Sequence, residues 1–256
     1  MGADSPAAPG PSAAATPLPR QVDDRVALAG IVYVLRKGVS WRDVPAERIG
    51  CSRVTCWRRL RDWTEAACGP ACTRRCWLNS AGPVYWRWTT RQWTARMSEL
   101  SKGAHTGPSP VGRGRPGSKH HLIVDRHGTP LAVALAGGNR HDVTQSIPLL
   151  DAIPRIRGLR GRPRHRPQRL FADPGYDFDK YRHLIAKRGI TPKITRRGTP
   201  HGSGLGKTRW VVERTFAWLH QFKRLRIRYE IRADLHQGLL ELGCSLICSR
   251  RLRTAF

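Results

Sequence analysis

Two apolar runs, Lys119-His120-His121-Leu122-Ile123-Val124-Asp125 and Leu131-Ala132-Val133-Ala134-Leu135, stand on either side of Arg126-His127-Gly128-Thr129. Their length, their β-branched content and the Gly-containing spacer predict two strands joined as a hairpin. That pair constrains the fold most, because the chain alternates strand and helix after it. Asp142 to Ile153 suits a helix, and Leu170-Phe171-Ala172-Asp173 is a short buried strand ending in an acid. Tyr181, Leu184 and Ile185 suit a helix capped by Asp177 or Asp179 and closed by Gly189. Ile190 to Ile194 reads as another strand and the last third as helix. A hairpin followed by strand–helix alternation predicts an α/β fold with a mixed sheet.

Ahead of this core, residues 23–66 read as a helical unit. Val26, Leu28, Ile31, Val34 and Leu35 have helical spacing and Gly38 ends the pattern. Ser52 can cap a second helix that turns Val54, Trp57 and Leu60 inward and Arg53, Arg58, Arg59 and Arg61 outward. Helix, turn, basic helix suits a helix-turn-helix-like DNA-docking module. It suits equally a plain helical hairpin with a solvated basic face. Residues 1–22 are Ala/Pro/Ser-rich, lack the basic start and apolar core of a secretory signal, and are expected to be disordered.

Charge narrows the function classes. The 256 residues carry 46 Lys and Arg against 18 Asp and Glu, a formal charge of +28. Such a field favours a polyanion. No apolar run approaches the length of a membrane-spanning helix. Seven irregularly placed cysteines fit a reducing cytoplasm better than a disulfide framework.

Against this background two acids stand out. Asp173 ends an apolar strand, where a carboxylate is held firmly yet open to solvent or metal. Capping of the next helix falls to Asp177 or Asp179 instead. Glu213 lies in Arg209-Trp210-Val211-Val212-Glu213-Arg214-Thr215-Phe216, a helix otherwise rich in basic and aromatic residues. Val212, Phe216, Leu219 and Phe222 form its apolar stripe; Arg209, Glu213, Ala217, His220 and Arg224 line another face. Glu213 could simply pair with Arg209 or Arg214. It could also share a divalent cation with a strand-end Asp, since Mg²⁺ accepts one or two carboxylates together with phosphate oxygens and waters. The basic runs Arg155 to Arg169 and Lys223-Arg224-Arg226-Arg228 would then contact phosphates.

Four segments, Gly103-Ala104-His105-Thr106-Gly107-Pro108-Ser109-Pro110, Gly114-Arg115-Pro116-Gly117-Ser118-Lys119-His120-His121, Leu170-Phe171-Ala172-Asp173-Pro174-Gly175-Tyr176-Asp177 and Arg209-Trp210-Val211-Val212-Glu213-Arg214-Thr215, closely resemble bacterial insertion-sequence transposases of the DDE class. The resemblance extends upstream through Asp23-Asp24-Arg25 and Thr55-Cys56-Trp57-Arg58-Arg59-Leu60-Arg61-Asp62-Trp63. It implies an RNase H-like catalytic domain over residues 102–256 and an N-terminal DNA-binding region. In that family two Asp and one Glu bind Mg²⁺ or Mn²⁺, water cuts the element end, and the freed 3′-hydroxyl attacks target DNA. Asp173 matches the second Asp, Glu213 the Glu, and Arg209 the Arg one turn before it. The implied partner is double-stranded DNA, both element ends and target. Arg53, Arg58, Arg59, Arg209, Lys223, Arg224 and Arg226 are its expected contacts. A bacterial, nucleoid-associated protein follows, and homo-oligomerisation is left open.

The family's first Asp is missing. Family members carry it in a sequence resembling Val-Asp-Gly-Ser-His-Val, where this chain has Gln92-Trp93-Thr94-Ala95-Arg96-Met97. From Cys68 to Trp93 there are three Cys, four Trp and no carboxylate. Trp is encoded by TGG and Thr by ACN, so the last base of the Trp93 codon and the first two of the Thr94 codon read GAC, an Asp codon. Two offsetting frameshifts bracketing residues 67–101 would explain both the foreign composition and the lost motif. Such a segment is expected to disturb the sheet and to leave a metal site short of one carboxylate.

Other signals have plainer readings. Cys68, Cys72 and Cys76 lack the distant second pair of a zinc site, and Cys244 and Cys248 belong to a core. Gly202-Ser203-Gly204-Leu205-Gly206-Lys207-Thr208 imitates a phosphate-binding loop, but His201 holds the place of its first Gly. Asp125 reads as a hairpin-turn residue and the first candidate for a relocated ligand; Asp142 reads as a helix cap.

Overall fold

The computed structural model describes residues 22–69, 71, 91–99, 103–109, 114–156, 165–198 and 206–253; for 91–99, 206–209 and 252–253 it describes the backbone only. Most of the expected 1–22 tail, Cys72, Cys76, residues 157–164 and residues 201–205 lie outside it.

The N-terminal helices begin and end where local chemistry dictates. In α1 (Asp24–Lys37) the Asp23 carboxylate accepts from the Arg25 N–H at 2.9 Å, and Gly38 closes the helix in the left-handed region at φ 71°. After a short helix α2 (Ala46–Ile49), the Ser52 hydroxyl accepts the Thr55 N–H at 3.1 Å and starts α3 (Arg53–Glu65). The inward residues differ in part from the expected set. Ala27, Ile31, Val34, Leu35, Cys56 and Leu60 are buried, whereas Leu28 is partly exposed and Val54 is 48% exposed. The α1–α3 crossing explains this: a Cβ on Gly30 would come within 2.4 Å of the Cys56 sulfur, so the helices meet at Cys56 and turn Val54 away.

One sheet follows. β1 (Arg91–Glu99) pairs antiparallel with β3 (Pro116–Asp125), which carries the two-residue β2 (Gly107–Pro108) and pairs antiparallel with β4 (Pro130–Gly137). On its other side β1 runs parallel to β5 (Arg169–Ala172), and β5 runs parallel to β6 (Thr191–Ile194). The order β4-β3-β1-β5-β6, with an antiparallel hairpin on one side of β1 and parallel strands on the other, is an RNase H-like sheet. The predicted hairpin is present: the Asp125 N–H donates to the Thr129 carbonyl at 3.0 Å and the Gly128 N–H to the Asp125 carbonyl at 3.0 Å. β3 is buried on both faces, which is why it reads as an almost unbroken apolar run.

Two cores sandwich the sheet. Ile123, Leu131, Leu170 and Ala172 face α4 (Ser146–Asp151) and α5 (Asp179–Ala186). Leu122, Val124 and Leu135 face α6 (Gly206–His220) and α7 (Ala233–Arg253). The buried residues of α1 and α3 join this second cluster, so residues 23–66 share a core with the sheet. Cys244 and Cys248 are buried, as expected.

The foreign segment does not disturb the sheet as expected. Residues 91–99 form its central strand, paired over their whole length with Gly117–Asp125. Backbone pairing is indifferent to side-chain identity, and Trp93, Ala95 and Met97 alternate with Thr94, Arg96 and Ser98 at the strand period. Asp177 and Asp179 are a second correction, since neither caps α5, whose flanking residue is Phe178. Asp177 instead accepts from the Arg197 N–H at 2.9 Å and from Arg182 Nε at 2.6 Å, tying the start of α5 to the end of β6.

Candidate active site

Asp173 directly follows β5 and opens a single 3₁₀ turn, Pro174–Tyr176. Its backbone is extended and its side chain half-buried. Three residues on, Tyr176 is buried, and burial reinforced by the carboxylates of Asp142 and Asp173 pushes its hydroxyl well above the usual phenol range. Asp142, on the turn after β4, therefore lies at the same end of the sheet as Asp173. It was expected to cap a helix. It sits instead in the first turn of the 3₁₀ segment Asp142–Gln145 and accepts from Lys119 Nζ at 2.8 Å. Sequence reading missed this grouping because β3 and the β4–α4 turn meet only in the folded sheet.

Glu213 is exposed on α6, with Val212, Phe216 and Leu219 buried on the helix's other side. The helix lies over β1 and β3 and is pinned to the β3–β4 turn. Thr215 Oγ1 donates to the Gly128 carbonyl at 2.7 Å, and Arg214 Nη2 to the His127 carbonyl at 2.7 Å. Gly128 is at φ 82°, and a Cβ there would meet Thr215 Oγ1 at 2.8 Å, so helix and turn touch at a point only Gly permits. Arg214 is also stacked between Trp210 at 4.4 Å and Trp218 at 4.8 Å. The helix of Glu213 and the strand end of Asp173 thus flank the same central strand, β1.

The β1–β5 register identifies what stands between them. Arg91, Gln92 and Trp93 pair with Leu170, Phe171 and Ala172. One residue further along each strand come Thr94 and Asp173. Thr94 supplies two of the three bases of the out-of-frame Asp codon. Across β1–β3 its partner is Leu122. Among the described residues no group of three or more His, Cys, Asp or Glu could hold a metal ion. Asp173 and Glu213 are the two carboxylates that the resemblance assigns to a three-carboxylate site, and with no such group among the described residues they do not fit the full arrangement. Asp125 offers no replacement: it is 2% exposed, and its Oδ1 accepts the His127 N–H at 2.8 Å and the Thr129 N–H at 2.7 Å, as a hairpin-turn Asp does.

The basic residues divide into two groups. Arg53 and Arg58 on α3, and Lys223 and Arg226 after α6, are exposed; Arg59 is half-buried and reaches Asp24 at 3.4 Å. The side chain of Arg209 lies outside the described residues. Arg224 is not on the surface. It is buried, donates from Nε and Nη2 to Glu230 Oε1 at 2.9 and 2.7 Å, and from Nη1 to the Val39 carbonyl at 2.9 Å. Arg228 is 1% exposed and bonds the Ser118 hydroxyl at 2.7 Å and the carbonyls of Glu230 and Ile231. Both were expected to contact phosphates. Both are internal cations, because a charge this deep requires partners and these groups provide them.

Comparison with known proteins is consistent over the length of the chain. The transposase DDE domain matches residues 86–248, more than half of the chain, and the transposase family of IS4/5 elements matches residues 6–69. A protein named as the transposase of insertion sequence element IS402 of Burkholderia cepacia is 61% identical over 150 residues, 59% of this chain and 71% of that one. A second, 16.2 kDa protein of the same element is 63% identical over 46 residues, 18% of this chain and 31% of that one. A protein named as the transposase of IS6501 of Brucella ovis is 30% identical over 139 residues, 52% of this chain and 98% of that one. A paired-end complex of Mos1 transposase aligns with TM-score 0.31 and 11% identity over 94% of this chain and 82% of that one, too distant to carry an argument. The chain belongs to the DDE transposases of bacterial insertion sequences, whose activity is polynucleotidyl transfer with divalent metal in DNA transposition.

Proposed function

We propose that this chain binds double-stranded DNA at element ends and target but is severely impaired in cutting it, because the first of its three metal-binding carboxylates has been lost. The observation that carries this is the residue beside Asp173 on the central strand: Thr94, in a segment whose codons read Asp in another frame. Asp173 and Glu213 remain as ligands for Mg²⁺ (or Mn²⁺). Two-metal phosphodiester chemistry needs both attacking and leaving oxygens held by metal, and a site short of one carboxylate binds and places the ions poorly. Arg53, Arg58, Arg59, Arg209, Lys223 and Arg226 supply phosphate contacts, which give affinity without sequence information. Residues 67–101 are read as the product of two offsetting frameshifts, and 102–256 as the catalytic domain.

The test uses the purified full chain and a labelled duplex from the element end, with and without Mg²⁺ or Mn²⁺. Retarded duplex with no metal-dependent nick is the expected result. A metal-dependent nick abolished by Asp173→Ala would overturn the impairment, and absence of any retarded complex would overturn the DNA-binding reading. The rival reading, a derivative that only occupies element ends, gives the same result; metal-dependent nicking restored by Thr94→Asp would favour the impaired transposase, and its continued absence the rival. Sequencing the coding DNA across residues 67–101 tests the frameshift directly.

A further inference from the structure

The N-terminal helices flank a cleft that shares only Arg53 with the phosphate contacts proposed above. Ser40, Trp41 and Arg42 on the 3₁₀ turn Trp41–Asp43 face Arg53, Val54 and Trp57 on the first turns of α3 across a groove of about 590 Å³. Two indoles and two guanidinium groups line it, with no carboxylate among the lining residues. Arg42, Arg53 and Val54 are exposed, and both Trp side chains are half-buried, each with part of its surface against the α1–α3 core. Arg61 lies over the Trp57 ring at 5.7 Å, stacking a cation on the indole from the next turn of the helix.

We infer that this cleft holds one unpaired nucleotide of the bound DNA, its base against the indoles and its phosphate on Arg42 and Arg53. The inference rests on the DNA-binding reading and makes it more specific. Base edges in a duplex groove lie flush between two phosphate backbones, so a paired base cannot enter a cavity walled by indoles. An unpaired base has a free face to stack on aromatic rings, a mode indifferent to base identity. The cleft's charge selects an anion, and its aromatic walls distinguish a nucleotide from a bare phosphate. The exposed Val54 at the rim adds an apolar contact that water gains nothing from. A purely apolar partner would leave both guanidiniums unmatched.

The experiment compares two duplexes of equal length with the full chain, one fully paired and one carrying a single bulged 2-aminopurine. About tenfold tighter binding of the bulged duplex, within the range that stacking of one base provides, is expected. Quenching of the 2-aminopurine on binding is the second expected result. Arg42→Gln, an exposed position, should reduce the preference to within about twofold and leave the paired duplex bound; Trp57→Leu should abolish the quench. Equal affinity for the two duplexes, or a preference and quench unchanged in Arg42→Gln, would overturn the cleft while leaving duplex binding intact. Failure to bind either duplex would overturn the DNA reading and the cleft with it.

Discussion

At the scale of single residues, the charges that hold the molecule together are the ones a sequence conceals. Arg224 sits in a run of cations that reads as a solvated or DNA-facing stripe, yet it is buried against Glu230 and the Val39 carbonyl. The one legible hint is Glu230, a lone acid at the end of Arg224-Leu225-Arg226-Ile227-Arg228-Tyr229-Glu230. Arg224→Ala would strand that carboxylate in the core, so we expect a loss of about 3–5 kcal/mol, read from urea unfolding. Beyond Glu230, His236 Nδ1 lies 3.6 Å from its Oε2, and His236 Nε2 meets His120 Nε2 at 2.9 Å. Burial lowers the pKa of both rings. It lowers His121, whose ring nitrogens have no hydrogen-bond partner, to about 4. A folded pKa below the unfolded value means that the unfolded chain binds more protons, so this stability is present above pH 6.5 and declines as pH falls towards 4. The decline from His121 alone amounts to about 3 kcal/mol at its lower limit. A melting temperature that falls steeply from pH 6.5 to 4, and less steeply in His121→Leu, is the expected result; a flat profile would contradict it.

At the scale of elements, the hairpin and the capped helices α1 and α3 were legible because each satisfies its own backbone locally, and β5 and β6 because each is a short apolar run bounded by turn residues. β1 was not. Its Trp- and Arg-rich composition masks its alternation, and only its neighbours β3 and β5 show that it is the middle of the sheet. The candidate site was legible in halves for the same reason. Asp173 with Tyr176, and Glu213, are visible in their own motifs, whereas Asp142 and Lys119 join Asp173's surroundings through strand pairing. Restoring the missing group is a direct test. Thr94→Asp should confer a rise of several degrees in melting temperature at saturating Mn²⁺ that the unsubstituted chain lacks. No difference between the two would place the lost acid elsewhere. The anchoring of α6 predicts in the same way. Thr215→Val keeps the shape but removes the hydroxyl that binds the Gly128 carbonyl, and should lower stability by about 1–3 kcal/mol, measured by denaturant unfolding.

At the scale of the whole molecule, the charge of +28 gives an expectation independent of any single contact. With six or more phosphates engaged, duplex affinity should fall about a thousandfold between 50 and 200 mM salt, measured by fluorescence anisotropy. A shallow slope would mean that the cations are spent inside the protein, as Arg224 and Arg228 are. Among the described residues no helix is long and apolar enough to cross a membrane.

The shared core of α1, α3, α6 and α7, tightened by the Arg224–Val39 bond, has a consequence for scale on the DNA itself. Modules strung on a flexible linker can grip sites at varying separations, but helices fused to the body cannot. Any DNA held at α3 would be presented to the end of β5 at one distance and one rotational phase. Hydroxyl-radical footprinting should therefore give a single unbroken track along one side of the duplex. Two protected patches with a gap of variable length would contradict it. On the proposed reading the chain would span DNA as a fixed caliper, its jaws set by the packing of leucines.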